Sequence, residues 1–170
     1  MTDDENRDES EDELRRRAEE SFNTGVGAYK HGDLQGALER YGQALALFRE
    51  VSGSERNQAG CLFNSGVALR ELGDLRGALE RYELALALFQ GVSGSERDQA
   101  NCLNNSGVVL GELGDWRGAL EYYELALALY REIPGSERNQ ANCLHNSGVV
   151  LDELGDWRGA LERYKRALTL

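Results

Sequence analysis

Residues 104–130 read NNSGVVLGELGDWRGALEYYELALALY, and this stretch decides the fold. The dipeptide Gly114-Asp115 divides two segments whose apolar residues recur at the three- and four-residue spacing of amphipathic helices. The same dipeptide stands at residues 32–33, 73–74 and 155–156, a strict step of 41 residues. A fixed step of this size is typical of repeat proteins. We therefore expect four helix pairs, stacked as an α-solenoid.

Short polar segments mark the predicted helix boundaries. Gly73 suits a turn at positive φ, and Asp74 suits the N-cap of the helix that follows it. Between repeats lie Val-Ser-Gly-Ser or Ile-Pro-Gly-Ser segments, whose final serines are predicted to cap the next helix. These segments are residues 51–54, 92–95 and 133–136.

Small and aromatic residues inside the helices predict close packing. Gly66 indicates that the two helices of one pair approach each other, and Gly77 indicates an approach to the neighbouring repeat. Cys61, with its copies Cys102 and Cys143, is expected to be a buried apolar residue. The two tryptophans that follow Gly-Asp, Trp116 and Trp157, are expected in the core.

The charge and the N-terminus narrow the class of protein. A net charge of -11 disfavours nucleic acid and anionic membranes as partners. No stretch approaches the ~20 apolar residues of a membrane span, and residues 1–13 lack a signal pattern, so we expect a cytoplasmic protein. We expect residues 1–13 to be an acidic disordered leader and 14–170 to be the solenoid. Its units are predicted at about residues 14–52, 53–93, 94–134 and 135–170.

The third and fourth repeats resemble the tetratricopeptide repeat, whose pattern places large apolar, small and aromatic residues at fixed positions. The third repeat supplies Leu103, Ser106-Gly107, Leu110, Gly114, Trp116, Ala119, Tyr123 and Ala126-Leu127. The fourth supplies Leu144, Ser147-Gly148, Leu151, Gly155, Trp157, Ala160, Tyr164 and Ala167-Leu168.

The resemblance carries expectations about fold and function. The 41-residue step exceeds the family's usual length of about 34 residues, and it resembles the long-repeat branch of kinesin light chains and bacterial signalling-ATPase sensors. The resemblance implies an all-α, right-handed α-solenoid whose concave wall is lined by the first helix of each pair. It also implies a scaffold that binds a protein or peptide, without enzymatic activity or a cofactor.

An asparagine recurs at one position of each first helix and is the leading candidate for ligand binding. On a helix it shares a face with the valine three residues later. An asparagine amide offers both a donor and an acceptor, so it can pair with one peptide group of an extended ligand. The two rows are Asn23, Asn64, Asn105 and Asn146, and Val26, Val67, Val108 and Val149.

The geometry of this asparagine ladder is coherent. Neighbouring first helices should stand ~9–10 Å apart, and an extended peptide advances ~3.3 Å per residue, so each rung would meet every third residue. Hydrogen bonds of ~0.5–1.5 kcal/mol each cannot alone hold a ligand, so side-chain pockets must contribute. The expected walls are Phe22, Tyr29, Phe63 and the valine row, and Asn104 and His145 are further candidate groove residues. The alternative is that each asparagine bonds within its own fold.

Two further functions remain open at the level of sequence. The near-identical repeats would allow a self-assembling scaffold that stacks end to end as a homo-oligomer. The chain would also suit the sensor portion of a larger signalling protein. With two histidines, His31 and His145, and no Cys/His pair on one helix face, the sequence indicates neither a metal site nor a catalytic site.

Overall fold

The computed structural model describes the backbone of residues 3–170 and the side chains of residues 11–170. Within that range the chain forms eight α-helices and no strand, which confirms the predicted all-α class and the helix-pair repeat. The helices are α1 (Asp3–Lys30), α2 (Leu34–Phe48), α3 (Glu55–Glu71), α4 (Leu75–Gln90), α5 (Glu96–Glu112), α6 (Trp116–Arg131), α7 (Glu137–Glu153) and α8 (Trp157–Ala167). We call the pairs α1–α2, α3–α4, α5–α6 and α7–α8 repeats one to four.

The chain divides into two compact units, Met1–Val92 and Ser93–Leu170. In the first unit, α1 packs on α2, α2 on α3 and α3 on α4. In the second unit, α5 packs on α6, α6 on α7 and α7 on α8, and α5 also touches α7. Each unit therefore contains two repeats, and the second helix of its first repeat packs on the first helix of its second.

The turn inside each repeat is built as the sequence predicts. Gly73 adopts a φ of 84°, and the Asp74 carboxylate accepts a hydrogen bond from the Gly77 backbone N–H at 3.0 Å. The role of Gly77 differs from the prediction. A Cβ there would collide with the capping carboxylate of Asp74, and not with the neighbouring repeat. Glycine at this position therefore makes room for the N-cap.

The serines between repeats stand at N-cap positions, but the predicted side-chain cap is wrong. Ser54 makes no capping bond, and its hydroxyl donates to the carbonyl of Val51 at 2.8 Å and to that of Phe48. Gln58 donates to the same hydroxyl at 3.0 Å. The buried serine therefore ties the loop to the end of the preceding helix.

The two helices of a repeat approach closely through a glycine and a tyrosine, as Gly66 predicts. A Cβ on Gly66 would lie 2.7 Å from the ring of Tyr82, whose side chain is buried. The same packing recurs in repeat three, where a Cβ on Gly107 would lie 2.8 Å from the ring of Tyr123. The ring fills the space that the glycine leaves.

The predicted burial of the cysteines is confirmed, whereas the predicted burial of one of the two tryptophans is wrong. The three cysteines are free and buried, as expected. Trp116 is half-buried in a cluster around Ala119, whereas Trp157 is 73% exposed, so its predicted core position is wrong. The reason is that burial at this position depends on a following first helix, and not on the repeat itself.

The predicted acidic leader lies partly outside the described residues, which begin at Asp3. Its backbone from Asp3 onward belongs to α1, and Glu13 forms an ion pair with Arg16 at 2.7 Å. Disorder of residues 1–13 in solution stays a prediction.

Candidate functional site

The exposed wall of each first helix carries the predicted asparagine and valine rows. On α3, Asn64 and Val67 are half-buried, while Cys61 and Ser65 are buried. The helical spacing places Glu71 on the same wall, where it is exposed. Solvent-facing polar and apolar groups thus lie side by side on α3.

The asparagine amides are partly held by their own helices. Asn64 Nδ2 donates to the Gly60 carbonyl at 2.8 Å, and Asn105 Nδ2 donates to the Asn101 carbonyl at the same distance. Each bond uses one of the two N–H groups, so one N–H and the Oδ1 acceptor remain. Within residues 11–170, the side chains of Asn23 and Asn146 make no hydrogen bond. The internal bond fixes the direction in which the amide points.

The valines vary more in their exposure than their positions suggest. Val26, Val67 and Val108 are half-buried, and Val149 is 41% exposed. They remain on the same helix face as the asparagines. The row is therefore partly accessible in both units.

The predicted walls make contacts inside their own repeats. The Phe22 ring lies 5.6 Å from that of Tyr41, and the Phe63 ring lies 5.5 Å from that of Tyr82. The imidazole of His145 packs in the same way on a tyrosine of α8, Tyr164, at 5.5 Å. These side chains therefore bridge the two helices of a repeat, and their contact with a ligand stays a prediction.

Asn104 differs from the other three wall residues because it contacts the next repeat. Its Oδ1 accepts a hydrogen bond from Cys143 Sγ at 3.2 Å. A neighbouring amide, Asn101, accepts one from the Tyr130 hydroxyl at 2.6 Å. The first of these bonds joins repeats three and four, and the second joins the two helices of repeat three. Asn104 therefore connects the two repeats, and its contact with a ligand stays a prediction.

A row of carboxylates was missed by the sequence reasoning. Glu71, Glu112 and Glu153 are exposed and lie seven residues after the asparagines of α3, α5 and α7, whereas the matching residue of α1 is Lys30. Glu71 accepts a hydrogen bond from the Tyr29 hydroxyl, and that bond is the main cause that raises the pKa of Tyr29 to about 12. The sequence did contain a signal for these glutamates. They recur at the 41-residue step, and each lies about two helical turns after an asparagine, on the same face of its helix. These carboxylates make the exposed faces of α3, α5 and α7 acidic.

The buried thiols are unsuited to nucleophilic chemistry. Burial raises the pKa of Cys61, Cys102 and Cys143 to about 12 in each case, so the thiol form dominates at neutral pH.

In the described part of the chain, no group of three or more His, Cys, Asp or Glu side chains is placed to hold a metal ion. None of the helices within residues 3–170 has the length and apolar character needed to cross a membrane.

Comparison with known proteins identifies the family that this chain resembles in sequence. The family model described as "Tetratricopeptide repeat" matches residues 23–91 and 98–170. No curated protein matches the sequence.

Solved structures share the fold. The crystal structure of BtubC (BKLC) from P. vanneervenii is similar over 89% of this chain and 62% of that chain, with 25% identity and a TM-score of 0.82. The structure of MamA is similar over 89% of this chain and 77% of that one, with 18% identity and a TM-score of 0.71. The apo form of RapI is similar over 91% of this chain and 42% of that one, with 20% identity and a TM-score of 0.84. The chain therefore spans less than two thirds of the length of BtubC and of RapI.

Proposed function

The chain belongs to the tetratricopeptide repeat family, and we propose that it binds an extended segment of a partner protein along the exposed wall of its first helices. The repeats support the assignment of a protein-interaction scaffold. The finer proposal concerns which residues of that scaffold contact the ligand. In each unit the wall offers two asparagine amides beside two valines: Asn23 and Asn64 in the first, Asn105 and Asn146 in the second. We propose that this scaffold acts without catalysis and without a cofactor.

The observation that carries the proposal is the fixed direction of the Asn64 and Asn105 amides. An amide already bonded to its own helix at 2.8 Å loses little side-chain freedom when a ligand pairs with its remaining groups. Its Oδ1 can accept from a ligand N–H, and its second N–H can donate to a ligand carbonyl. Pre-positioned amides of this kind suit a peptide backbone whose side-chain sequence varies.

The carboxylate row adds a preference to the proposed ligand. Glu71 lies on the first-helix wall of the first unit, Glu112 and Glu153 lie on that of the second, and the whole chain carries a net charge of -11. Opposite charge accelerates encounter and is screened by salt. We therefore propose that the bound segment carries lysine or arginine side chains between its backbone contacts.

The test selects ligands first and then removes the amides. Extended peptides are selected from a random peptide library against the full chain, and their affinity is measured for the Asn105→Ala/Asn146→Ala double variant. Two lost hydrogen bonds of about 1 kcal/mol each should weaken binding about thirtyfold. Alanine favours helix, so circular dichroism should show unchanged helicity.

The matched control is Glu121→Ala, an exposed position on the second helix α6. It should leave the affinity unchanged. Peptides whose affinity is the same for the double variant and the control would exclude the asparagine ladder and leave only the scaffold assignment.

Two alternatives from the sequence stay predictions. A self-assembling scaffold would show a size that grows with protein concentration in sedimentation. A sensor portion of a larger signalling protein would require the same repeats to be joined to a catalytic domain, which mass analysis of the protein from its source cell would detect. A cytoplasmic location also stays a prediction.

A further inference from the structure

The first-helix walls of the two units differ at the position directly before each asparagine. In the first unit this residue is a phenylalanine, Phe22 on α1 and Phe63 on α3, and both rings are half-buried. In the second unit it is Asn104 on α5, which is half-buried, and His145 on α7, which is exposed. A phenyl ring has no hydrogen-bonding group, whereas an amide and a neutral imidazole each have a donor and an acceptor. The same place along the wall is therefore apolar in one unit and polar in the other.

Open space lies beside the ring of Phe63. Gly60 precedes it by one helical turn on α3, and a Cβ on Gly60 would meet no other heavy atom within 4 Å. The helical spacing puts Gly60, Phe63 and Val67 on one face, and all three are half-buried. In the second unit the residues that match Gly60 are Asn101 and Asn142. The first unit therefore has an apolar recess beside the asparagine of α3, where the second unit has further amides.

The two aromatic rings on the walls of α3 and α7 are held in the same way. The Phe63 ring lies 5.5 Å from the buried ring of Tyr82, and the His145 imidazole lies 5.5 Å from the ring of Tyr164, both in a tilted arrangement. The two side chains thus share one geometry and differ in polarity. Exchanging them changes the chemistry of the wall while a ring stays against each tyrosine.

The C-terminal ends of the first helices differ in charge. At four matched positions the first unit carries two cations and one carboxylate, a net charge of +1, and the second unit carries three carboxylates, a net charge of -3. These residues are Tyr29, Lys30, Arg70 and Glu71 in the first unit, and Gly111, Glu112, Asp152 and Glu153 in the second. A cationic ligand side chain is therefore attracted more strongly to the wall of the second unit.

The carboxylate of the first unit already accepts a hydrogen bond. The Tyr29 hydroxyl of α1 donates to Glu71 of α3, and this bond joins the two first helices. The residue that matches Tyr29 in the second unit is Gly111, which has no side chain, so Glu153 on α7 lacks this donor. In the part of the chain whose side chains are described, Asp152 and Glu153 form no ion pair, and both are exposed. Their charges are therefore available to a ligand.

We propose that the two units select different side chains of the bound segment. The first unit takes an aliphatic or aromatic side chain at Phe63 and Gly60, and the second takes a lysine or arginine at Asp152 and Glu153. This selectivity rests on the proposed peptide interaction and assigns the chemistry of the ligand within it. The asparagines pair with the backbone of the segment in both units, whereas these neighbouring residues decide which side chains are accepted.

The probe is a random peptide library, selected against the full chain and against its variants and then sequenced. Selection at low salt and about pH 8 keeps histidine neutral. The unsubstituted chain should enrich both apolar residues and lysine or arginine relative to the unselected library. The frequencies of the residue types are the first readout, and the affinities of individual selected peptides are the second.

The exchange of rings tests the apolar part. Phe63→His should lower the enrichment of apolar residues and weaken the binding of peptides selected by the unsubstituted chain about tenfold. His145→Phe should raise the enrichment of apolar residues, because it gives the second unit the residue of the first. Both variants should leave the enrichment of lysine and arginine unchanged, and circular dichroism should show unchanged helicity.

The removal of charge tests the basic part. Asp152→Asn/Glu153→Gln should abolish the enrichment of lysine and arginine, and it should weaken the binding of basic peptides severalfold at low salt and less at high salt. The matched control is Glu71→Gln in the first unit, which should leave this enrichment unchanged because Tyr29 already bonds to that position. Neither variant should change the enrichment of apolar residues.

The variant without two ladder amides separates this selectivity from backbone pairing. Asn105→Ala/Asn146→Ala should weaken all selected peptides alike and leave their residue preferences unchanged. If the affinities stay unchanged in that variant while the ring and charge variants behave as expected, only the asparagine ladder fails.

Two results would overturn the selectivity itself. One is an enrichment of apolar residues by Phe63→His that equals that of the unsubstituted chain. The other is a loss of lysine and arginine in Glu71→Gln as large as in Asp152→Asn/Glu153→Gln. A library in which no peptide is enriched would overturn the peptide interaction and, with it, the selectivity.

Discussion

Trp116 in repeat three and Trp157 in repeat four follow the same Gly-Asp turn, yet the first is half-buried and the second is 73% exposed. The same contrast holds for Leu127 and Leu168, at 2% and 87% exposure. Their repeats have similar sequences, but α7 packs on α6 of repeat three, whereas no helix of the described residues packs beyond α8. In a repeat protein, burial is a property of the interface between neighbours more than of the repeat. Matched substitutions can therefore measure the interface alone.

The largest difference is expected for leucine truncation. Leu127→Ala should lower the free energy of unfolding by about 2–4 kcal/mol, because it opens a cavity between α6 and α7. Leu168→Ala should change it by less than about 0.5 kcal/mol, because the side chain is exposed. Urea denaturation of the full chain, followed by circular dichroism, measures both. Equal losses would mean that Leu168 is covered in solution.

A smaller difference is expected where the helices of one repeat approach. Gly107→Ala places a methyl group 2.8 Å from the ring of Tyr123, which is 4% exposed and cannot move away, so a net loss of about 1–2 kcal/mol is expected.

In Gly148→Ala the methyl group meets Tyr164 at 2.6 Å, but this half-buried ring can turn toward solvent. The gain in helix propensity should then offset most of the clash. Thermal unfolding of the two variants provides the measurement, and a larger loss for Gly148→Ala would refute the role of coverage.

The N-caps should respond equally in the two repeats. Asp115 and Asp156 each accept from a backbone N–H at 3.0 Å, and this bond lies within the repeat. Replacing either by alanine should cost about 1 kcal/mol. If urea denaturation gave clearly different losses for the two variants, the caps would depend on the neighbour as the core does.

The smallest expected effect is a loss of folding stability at alkaline pH. Burial raises the pKa of both Cys102 and Cys143 to about 12, from an ordinary value of 9.0. The unfolded chain therefore releases the thiol proton first, and stability is lost as pH rises from the unfolded pKa through the folded one.

At about pH 9.5, each thiol should account for less than about 1 kcal/mol of lost stability. Cys102→Ala and Cys143→Ala should each reduce the alkaline loss by a similar amount in urea denaturation. A variant whose pH dependence matches that of the unsubstituted chain would show that its thiol is not buried.

Most of the fold was readable from the sequence, because its determinants are local. Gly73 and Asp74 act within one turn, and the predicted second helix from Leu75 to about Gln90 is found at Leu75–Gln90. The close approach at Gly66 was also predictable, since a glycine in a helix interior is costly without a packing reason.

The rest depends on partners that a linear pattern does not reveal. Ser54 has the sequence context of a cap, but its hydroxyl finds the Phe48 and Val51 carbonyls because the loop folds back over the preceding helix. Trp157 has the pattern of a core residue but no covering helix within the described chain. For the candidate site, the positions of Asn64 and Asn105 followed from helical periodicity, whereas their bonds to Gly60 and Asn101 depend on side-chain rotamers.

The burial of one thiol in each of repeats two, three and four gives the chain a set of intrinsic reporters of local opening. Cys143 on α7 is buried and contacts Asn104 of repeat three, so a thiol reagent reaches it only when α7 detaches, and Cys102 on α5 is also fully buried and reports on the opening of its own surroundings. Repeat arrays open in segments of unequal free energy. Labelling rates measured thiol by thiol would therefore record the order in which the helices of each unit detach, without any engineered label site.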